Sequence, residues 1–414
     1  MVRNRQHVGK SAQLSAFGKG AAAAILLLLL APAHPVFGDA SSSPAGDHAS
    51  SQILPAWVER VHFHGLLEPE FSWSDEADPP GRNGGSSSEI FLRRVEFGVG
   101  VEMTDWLTAD LFLKDEYIGT DEETGLKVDK ATMTFHQEGS PFLLIVGKRV
   151  QPFGTFVNYL VEDPMTKDAY ETRVVGVTVE YEGPMGLVLS ATGYSGDEMM
   201  THLFKSGLFD TEAITRMEEP PDEASSYILA ASVQPVDGPI TLSGAFLSEA
   251  GAGNRNDTFS IAAHFETNAM KGFRMDGEYM KAVARERYVG FDREFLEGVV
   301  SLTAAYEVVL KETKVVGGSI FTGNRAHTVV SPLTVAVRYE YFDDDGMANA
   351  SQSYSVKERW SLGARYSFYR DPETGLDVYL ASEFRHTGYR VYPSPGDDWD
   401  DANEEFFTRL GLAF

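Results

Sequence analysis

Residues 406–414 read Phe406, Phe407, Thr408, Arg409, Leu410, Gly411, Leu412, Ala413 and Phe414. The even positions are Phe, Thr, Leu, Leu and Phe; the odd positions are Phe, Arg, Gly and Ala. A strand points successive side chains to opposite faces, so this segment has one apolar, aromatic face and one that is small or charged. A soluble sheet can also bury such a face, so the weight falls on how far the pattern extends.

It extends along almost the whole chain. Val61, Phe63, Gly65, Leu67, Phe71 and Trp73 share one face. Phe91, Val95, Phe97, Val99, Val101 and Met103 stand opposite Arg94, Glu96, Gly98, Gly100 and Glu102. Val175, Val177, Val179 and Tyr181 alternate with Gly176, Thr178 and Glu180. Val356, Trp360, Leu362, Ala364, Tyr366 and Phe368 face away from Arg359, Ser361, Gly363, Arg365 and Ser367. Long alternating segments with charge on the second face mark a β-barrel with lipid outside and a polar lumen. Leu410, Leu412, Leu362 and Val177 are expected to face lipid.

The first residues carry a matching address. Arg3, Arg5, Lys10 and Lys19 precede an unbroken apolar run from Ala21 to Leu30, with small residues at Gly38 and Ala40. This is the pattern of a secretory signal peptide over 1–38, cleaved after Gly38 or Ala40, and the run is too short to span a bilayer as a helix. A Ser/Ala/Pro/Gly stretch then makes 39–56 a flexible leader, with the barrel over 57–414. Four of the 35 basic residues lie in 1–38, leaving 31 against 61 acidic residues and a net charge of −30. That acidity argues against nucleic acid as a partner. The chain has no cysteine, which excludes disulfides and thiolate chemistry.

Turn clusters such as Met103-Thr104-Asp105, Glu182-Gly183-Pro184 and Asp371-Pro372-Glu373-Thr374-Gly375 alternate with longer polar stretches at 74–88, 196–226, 284–297, 343–353 and 392–403. Short turns at one rim and long loops at the other fit periplasmic turns and extracellular loops. At roughly 45 residues per hairpin, the ~375 residues after the signal peptide give an antiparallel transmembrane barrel of about sixteen strands. Within the 196–226 loop, residues 211–217 look helical.

Catalytic signatures are missing: there is no Gly-x-Ser-x-Gly, His-Glu-x-x-His or Gly-x4-Gly-Lys-Ser/Thr. His62 and His64 share a face but have no third ligand in view, so they read as polar lumen or interface residues, and no metal or cofactor is implied. The acidic runs Asp343-Asp344-Asp345 and Asp397-Asp398 with Asp400-Asp401 lack calcium-loop spacing and read as solvated loop tips.

One segment breaks the alternation. It runs Gly147-Lys148-Arg149-Val150-Gln151-Pro152-Phe153-Gly154-Thr155-Phe156, then Asp163-Pro164-Met165-Thr166 and Glu171-Thr172-Arg173. Its Pro and Gly residues rule out an ordinary hairpin. Either Pro152, Phe153 and Gly154 merely shape a turn, or 151–172 folds inward and narrows the pore, with Asp163 and Pro164 helping to shape it. The inward case puts Arg149 and Arg173 against acidic lumen partners such as Glu96, Asp110 and Glu180, with Arg365 also lining the lumen.

This run resembles the Gly-Lys/Gln…Pro-Phe-Gly…Asp-Pro…Glu-Thr-Arg stretch of the LbtU-type siderophore porin family, whose relatives are described as phosphate-selective-like porins; Lys311-Glu312-Thr313 fits the same pattern. The resemblance covers about 89–414 and implies an outer-membrane barrel linked to iron-chelate uptake. A last strand ending in Phe414 is likewise similar to that of bacterial outer-membrane barrels, where the terminal aromatic is read by the assembly machinery. The resulting expectation is a passive, non-enzymatic channel for small solutes in the bacterial outer membrane, surrounded by lipid and lipopolysaccharide. A phosphate- or anion-selective porin and an outer-membrane barrel hydrolase stand as alternatives. Inward acids such as Glu96, Glu102, Asp110, Glu180 and Glu340 favour cations, while Arg94, Arg149, Arg338, Arg365 and Arg409 would form the basic ladder of an anion channel. The sequence leaves the oligomeric state open.

Overall fold

A computed structural model describes residues 60–76, 85–216, 224–235, 238–267, 270–316, 326–392 and 402–414. The signal peptide, the leader and the acidic run at 397–401 lie outside these residues. Sixteen strands form: β1 (Val61–Glu76), β2 (Gly85–Thr104), β3 (Leu107–Ile118), β4 (Lys127–His136), β5 (Phe142–Val150), β6 (Arg173–Glu182), β7 (Leu187–Tyr194) and β8 (Ser226–Val233), followed by β9 (Ile240–Ala250), β10 (Arg255–Glu266), β11 (Phe273–Ala284), β12 (Gly298–Val316), β13 (Ala326–Asp343), β14 (Tyr354–Arg370), β15 (Asp377–Val391) and β16 (Ala402–Ala413). Each pairs with the next, and β16 pairs back onto β1, so the sheet closes. Three short helices lie in the connections: α1 (Met165–Tyr170), α2 (Glu198–Leu203) and α3 (Met347–Ser351).

The seam is an antiparallel ladder from Leu66 opposite Ala413 to Asp75 opposite Glu404. Phe414 extends it: its N–H donates to Gly65 O (3.0 Å) and its carbonyl accepts from Gly65 N–H (2.9 Å). Its ring covers Gly65 so closely that a β-carbon there would lie 2.3 Å from a ring carbon. Glycine is required at this point by the close approach.

The burial pattern is inside out. Val175, Val177, Leu229, Leu362, Leu410 and Leu412 are exposed, while Thr178, Arg338, Glu340, Ser361 and Arg409 are buried. The four positions expected to face lipid all lie on the exposed face. Aromatic pairs mark both rims, Trp106–Phe135 and Phe142–Tyr181 at the short turns and Tyr339–Trp360 toward the long loops. Apolar outside, polar inside and aromatic at the edges is the surface of a membrane-spanning barrel.

Several sequence expectations change. Register shifts between β1 and β2 because Arg93 is an extra residue, so Phe91 sits opposite Glu70 on the lumen side and not on the lipid face. An extra Lys357 in β14 does the same to Val356, which is buried at 2 % exposure. Strands β1 and β2 continue through much of 74–88, leaving a shorter connection than the polar composition implied. The helix in the 196–226 loop is α2; residues 211–213 make only a 3-10 turn.

The Asp343–Asp345 run is not a solvated tip. Asp344 is 3 % exposed. It accepts from the N–H groups of Gly346 (3.1 Å) and Ala348 (2.9 Å) and from Ser355 Oγ (2.8 Å), fixing the start of α3. Asp343 pairs with Lys281 at 3.0 Å.

Candidate functional site

The connection between β5 and β6, residues 151–172, does not project from the rim. Its neck is set by Gln151: its N–H bonds Thr172 O (2.8 Å), and its side-chain amide bonds Val174 O (2.9 Å). Gly147, with φ +132°, lets β5 press on β4, where a β-carbon would meet Ala131 O at 2.0 Å. Gly154 takes the left-handed region at φ +89°, turning the chain into the barrel after Pro152 and Phe153. Phe153, Met165, Ala169 and Tyr170 are fully buried within the lumen. The inward alternative is therefore the one observed.

The far wall holds the segment by charge and hydrogen bonds. Glu278 of β11 accepts from Thr155 N–H (2.6 Å), Phe156 N–H (3.3 Å), Thr155 Oγ1 (3.2 Å) and Thr166 Oγ1 (2.8 Å). Glu383 of β15 takes the N–H groups of Val161 (2.9 Å) and Glu162 (2.8 Å), and Glu340 of β13 takes that of Met165 (2.5 Å). Arg338 donates to the carbonyls of Glu162 (3.0 Å) and Asp163 (3.1 Å). Arg409 bridges Val161 O (2.9 Å), the Glu162 carboxylate (2.7 Å) and Glu70 (2.7 Å). Arg359 pairs with Asp168 (3.0 Å), and Tyr170 donates to Glu297 (3.1 Å). Buried carboxylates of this kind need partners: the segment's donors fill both oxygens of Glu278, but only one each of Glu340 and Glu383, whose other oxygens face the Arg338 guanidinium at 3.1 and 3.9 Å.

These partners set the ionisation of the segment. Burial would raise Glu162, but Arg93 and Arg409 overcome it and hold the carboxyl at about 2. Burial raises Asp168 to about 6 despite Arg359. Burial would lower Lys167, yet Asp163 and Glu171 keep it above the usual lysine value. Asp163, just before Pro164 and α1, sits 2.8 Å from Lys167 Nζ.

Of the sequence-named lumen residues, Arg149 meets Glu180 at 2.8 Å as expected. Arg173 does not reach Glu96, Asp110 or Glu180; it pairs with Asp129 and with Glu171 (2.9 Å). The cause is an irregularity in β4, where the register against β3 shifts and leaves Asp129 as an extra residue beside Arg173. Glu96 is taken by Arg94 (3.5 Å) and Asp110 by Lys130 (3.0 Å). Arg365 pairs with Asp377 (2.9 Å) and lies 3.6 Å over the Tyr379 ring. His62 faces Glu102 at 3.4 Å, and His64 stacks on Phe112. Among the described residues no group of three or more His, Asp or Glu is placed to hold a metal.

Sequence reading missed Glu278 and Glu383, the two carboxylates that carry most of the segment's backbone donors. Their signal was only a charge at an inward-parity position of β11 and β15; the partners lie over 100 residues away in the chain. Below the segment, toward the short turns, a cavity of about 200 Å³ is bounded by Pro152, Gly154, Ser190, Ala230, Ser243 and Ser260, among others.

No family model and no curated protein matches the chain. Solved structures do. The outer-membrane channel DcaP of Acinetobacter baumannii superposes with a TM-score of 0.51 at 13% identity, covering 85% of this chain and 96% of that one. The anion-selective porin from Comamonas acidovorans gives 0.51 at 10% identity, with 86% and 99% covered. Salmonella typhi OmpF, in complex with daunomycin, gives 0.53 at 11% identity, with 86% and 97% covered. At these identities the likeness is one of fold: the chain has the closed sixteen-stranded barrel of outer-membrane porins.

Proposed function

We propose that this protein is a porin of the bacterial outer membrane, a passive water-filled channel whose bore is set by residues 151–172 and by the charges around them. The observation that carries the reading is that segment, buried across the lumen and fastened to β11, β13, β14, β15 and β16. A barrel of this strand number leaves an aqueous channel unless something inside narrows it. Arg149, Glu180, Glu96, Asp110, Arg173 and Arg365 are the pore-wall charges, and Pro152, Phe153, Gly154, Asp163 and Pro164 shape the constriction. Similarity to DcaP and to porins supports the same reading.

Cations are the favoured ions. The five arginines that could have formed an anion ladder are all engaged: Arg94 with Glu96, Arg149 with Glu180, Arg338 with Glu340, Arg365 with Asp377 and Arg409 with Glu70. Each such pair cancels its carboxylate as well as its arginine, so the cation preference rests on the excess of acid, a net charge of −30 after residues 1–38. A role in iron-chelate uptake rests on the residue resemblance at 147–173 alone.

Planar-bilayer recording in a potassium chloride gradient tests the proposal. Stepwise conductance with a potassium-selective reversal potential is expected. A folded protein that inserts without conducting overturns the channel, and a chloride-selective reversal potential overturns the cation preference in favour of an anionic solute.

A further inference from the structure

We infer that residues 195–216 of the β7–β8 connection are a second, fixed constriction: a strap that seals the part of the mouth above β6 to β14 and so helps decide which solutes enter. The inference rests on the channel reading above. Its basis is where residues 195–216 go. Leaving β7, the chain turns inward and forms α2, whose first amides are pinned from below: Glu249 of β9 accepts from Met199 N–H (2.9 Å), Met200 N–H (3.2 Å) and Tyr194 OH (2.7 Å). Then α2 packs on α1, and His202 Nε2 lies 3.1 Å from Lys167 O.

The strap then crosses to the opposite wall. Phe209 forms a β-bridge with Ser355 at the start of β14, flanked by Asp210 N–H to Tyr354 O (3.1 Å) and Val356 N–H to Leu208 O (2.7 Å). It returns to the β11–β12 connection, where Arg216 bridges to Tyr288 and Val289 N–H donates to Thr215 O (2.8 Å). The Arg216 guanidinium clasps Glu286 (2.5 and 3.0 Å) and Asp197.

What lies beneath is dry. Met199, Met200, Leu203, Leu208 and Phe209 are at most 3 % exposed and pack in one cluster with Phe153 and Met165 of the constriction segment. The same cluster reaches the walls through Val174, Ile228, Leu247, Met280, Phe342 and Val356, which belong to strands from β6 round to β14. Apolar side chains packed to this degree leave no path for a hydrated solute. A loop that only covered a mouth would need neither the buried carboxylate under α2 nor a β-bridge on the far wall.

The test uses single-channel recording and liposome swelling with sugars of increasing size. Replacing residues 198–215 by a short Gly-Ser linker should raise conductance roughly twofold, because the sealed arc covers about half of the strands, and should admit larger sugars. Arg216→Ser, which releases the clasp and the guanidinium over Phe204 but removes no side chain of the apolar cluster, should give higher and noisier conductance. Phe209→Cys with Ser355→Cys, the only thiols in the chain, should conduct alike when oxidised and reduced, because the strap is already fixed. Unchanged conductance and size limit in both loosened variants, with the barrel folded, overturn the seal. A fall in conductance on oxidising the cysteine pair overturns its fixity and makes the strap a moving lid. Failure of the wild-type protein to conduct would instead refute the channel itself.

Discussion

Leu229 and Ala230 are neighbours in β8 on opposite faces of the wall, and the same substitution at each separates the lipid from the lumen. Leu229 is 50 % exposed, paired with Ala191 on one side and Phe246 on the other, midway along its strand. Leu229→Arg places a guanidinium against hydrocarbon, at a cost of about 2–4 kcal/mol near the bilayer midplane. At 1.4 kcal/mol per factor of ten, the ratio of folded to unfolded protein in the membrane should fall roughly 30- to 1,000-fold. Ala230 borders the cavity of about 200 Å³, which has room for most of an arginine. Ala230→Arg should therefore assemble within about 1 kcal/mol of wild type and conduct as wild type does, because its side chain fills a cavity beneath the sealed arc and off the main water path. Urea titration in phosphocholine liposomes, read by the gel shift between folded and unfolded barrels, gives the first quantity; bilayer recording gives the second. Equal stability of the two variants, or better folding of Leu229→Arg, would refute the facing of β8 and with it the lumen described for β6 to β10.

Three further outcomes are expected. Glu278→Ala strips four donors from one buried carboxylate and leaves two backbone N–H groups unpaired, at about 1–3 kcal/mol each; conductance should rise while the gel shift of the folded barrel persists, as recordings of the purified variant will show. Asp168, raised to about 6, binds a proton more tightly folded than unfolded, so it adds stability as pH falls from about 6 toward 4. Glu162, held at about 2, loses its contribution below about 4; urea midpoints should thus rise slightly and then drop on acidification, and Asp168→Asn should reduce the rise. Deleting Phe414 removes two seam hydrogen bonds and one aromatic contact worth ~1–3 kcal/mol, so insertion in cells, followed by pulse-chase, should slow more than the melting temperature falls.

The strands were legible because period-two alternation is a local property, and Leu362, Val177, Leu410 and Leu412 obey it. It misled at Phe91 and Val356, where one extra residue in a strand exchanges the faces; a bulge leaves no mark in the alternation of its own strand until the partner's register is known. The inward course of 151–172 was visible as Pro152 and Gly154, but its anchorage was not, since Glu278 and Glu383 find their partners across the barrel. Gly363 shows the same limit. As a lumen-facing glycine it looks open to substitution, yet a β-carbon there would lie 2.7 Å from both Ser382 O and Leu160 Cδ2. The constriction segment leans on it, so even Gly363→Ser should disturb the pore.

The carboxylate of Glu249 beneath α2 has a consequence for the exchange of hydrogen with solvent. Loop amides of a membrane barrel ordinarily trade their protons within seconds to minutes, while strand amides hold theirs. Met199 and Met200 donate to a buried carboxyl group and are themselves fully enclosed. Their amides can open only when the apolar cluster in the mouth comes apart. In deuterated buffer these two loop residues should keep their protons nearly as long as β8 and β9 keep theirs, so that a protection map of the protein would draw the barrel with its mouth already filled.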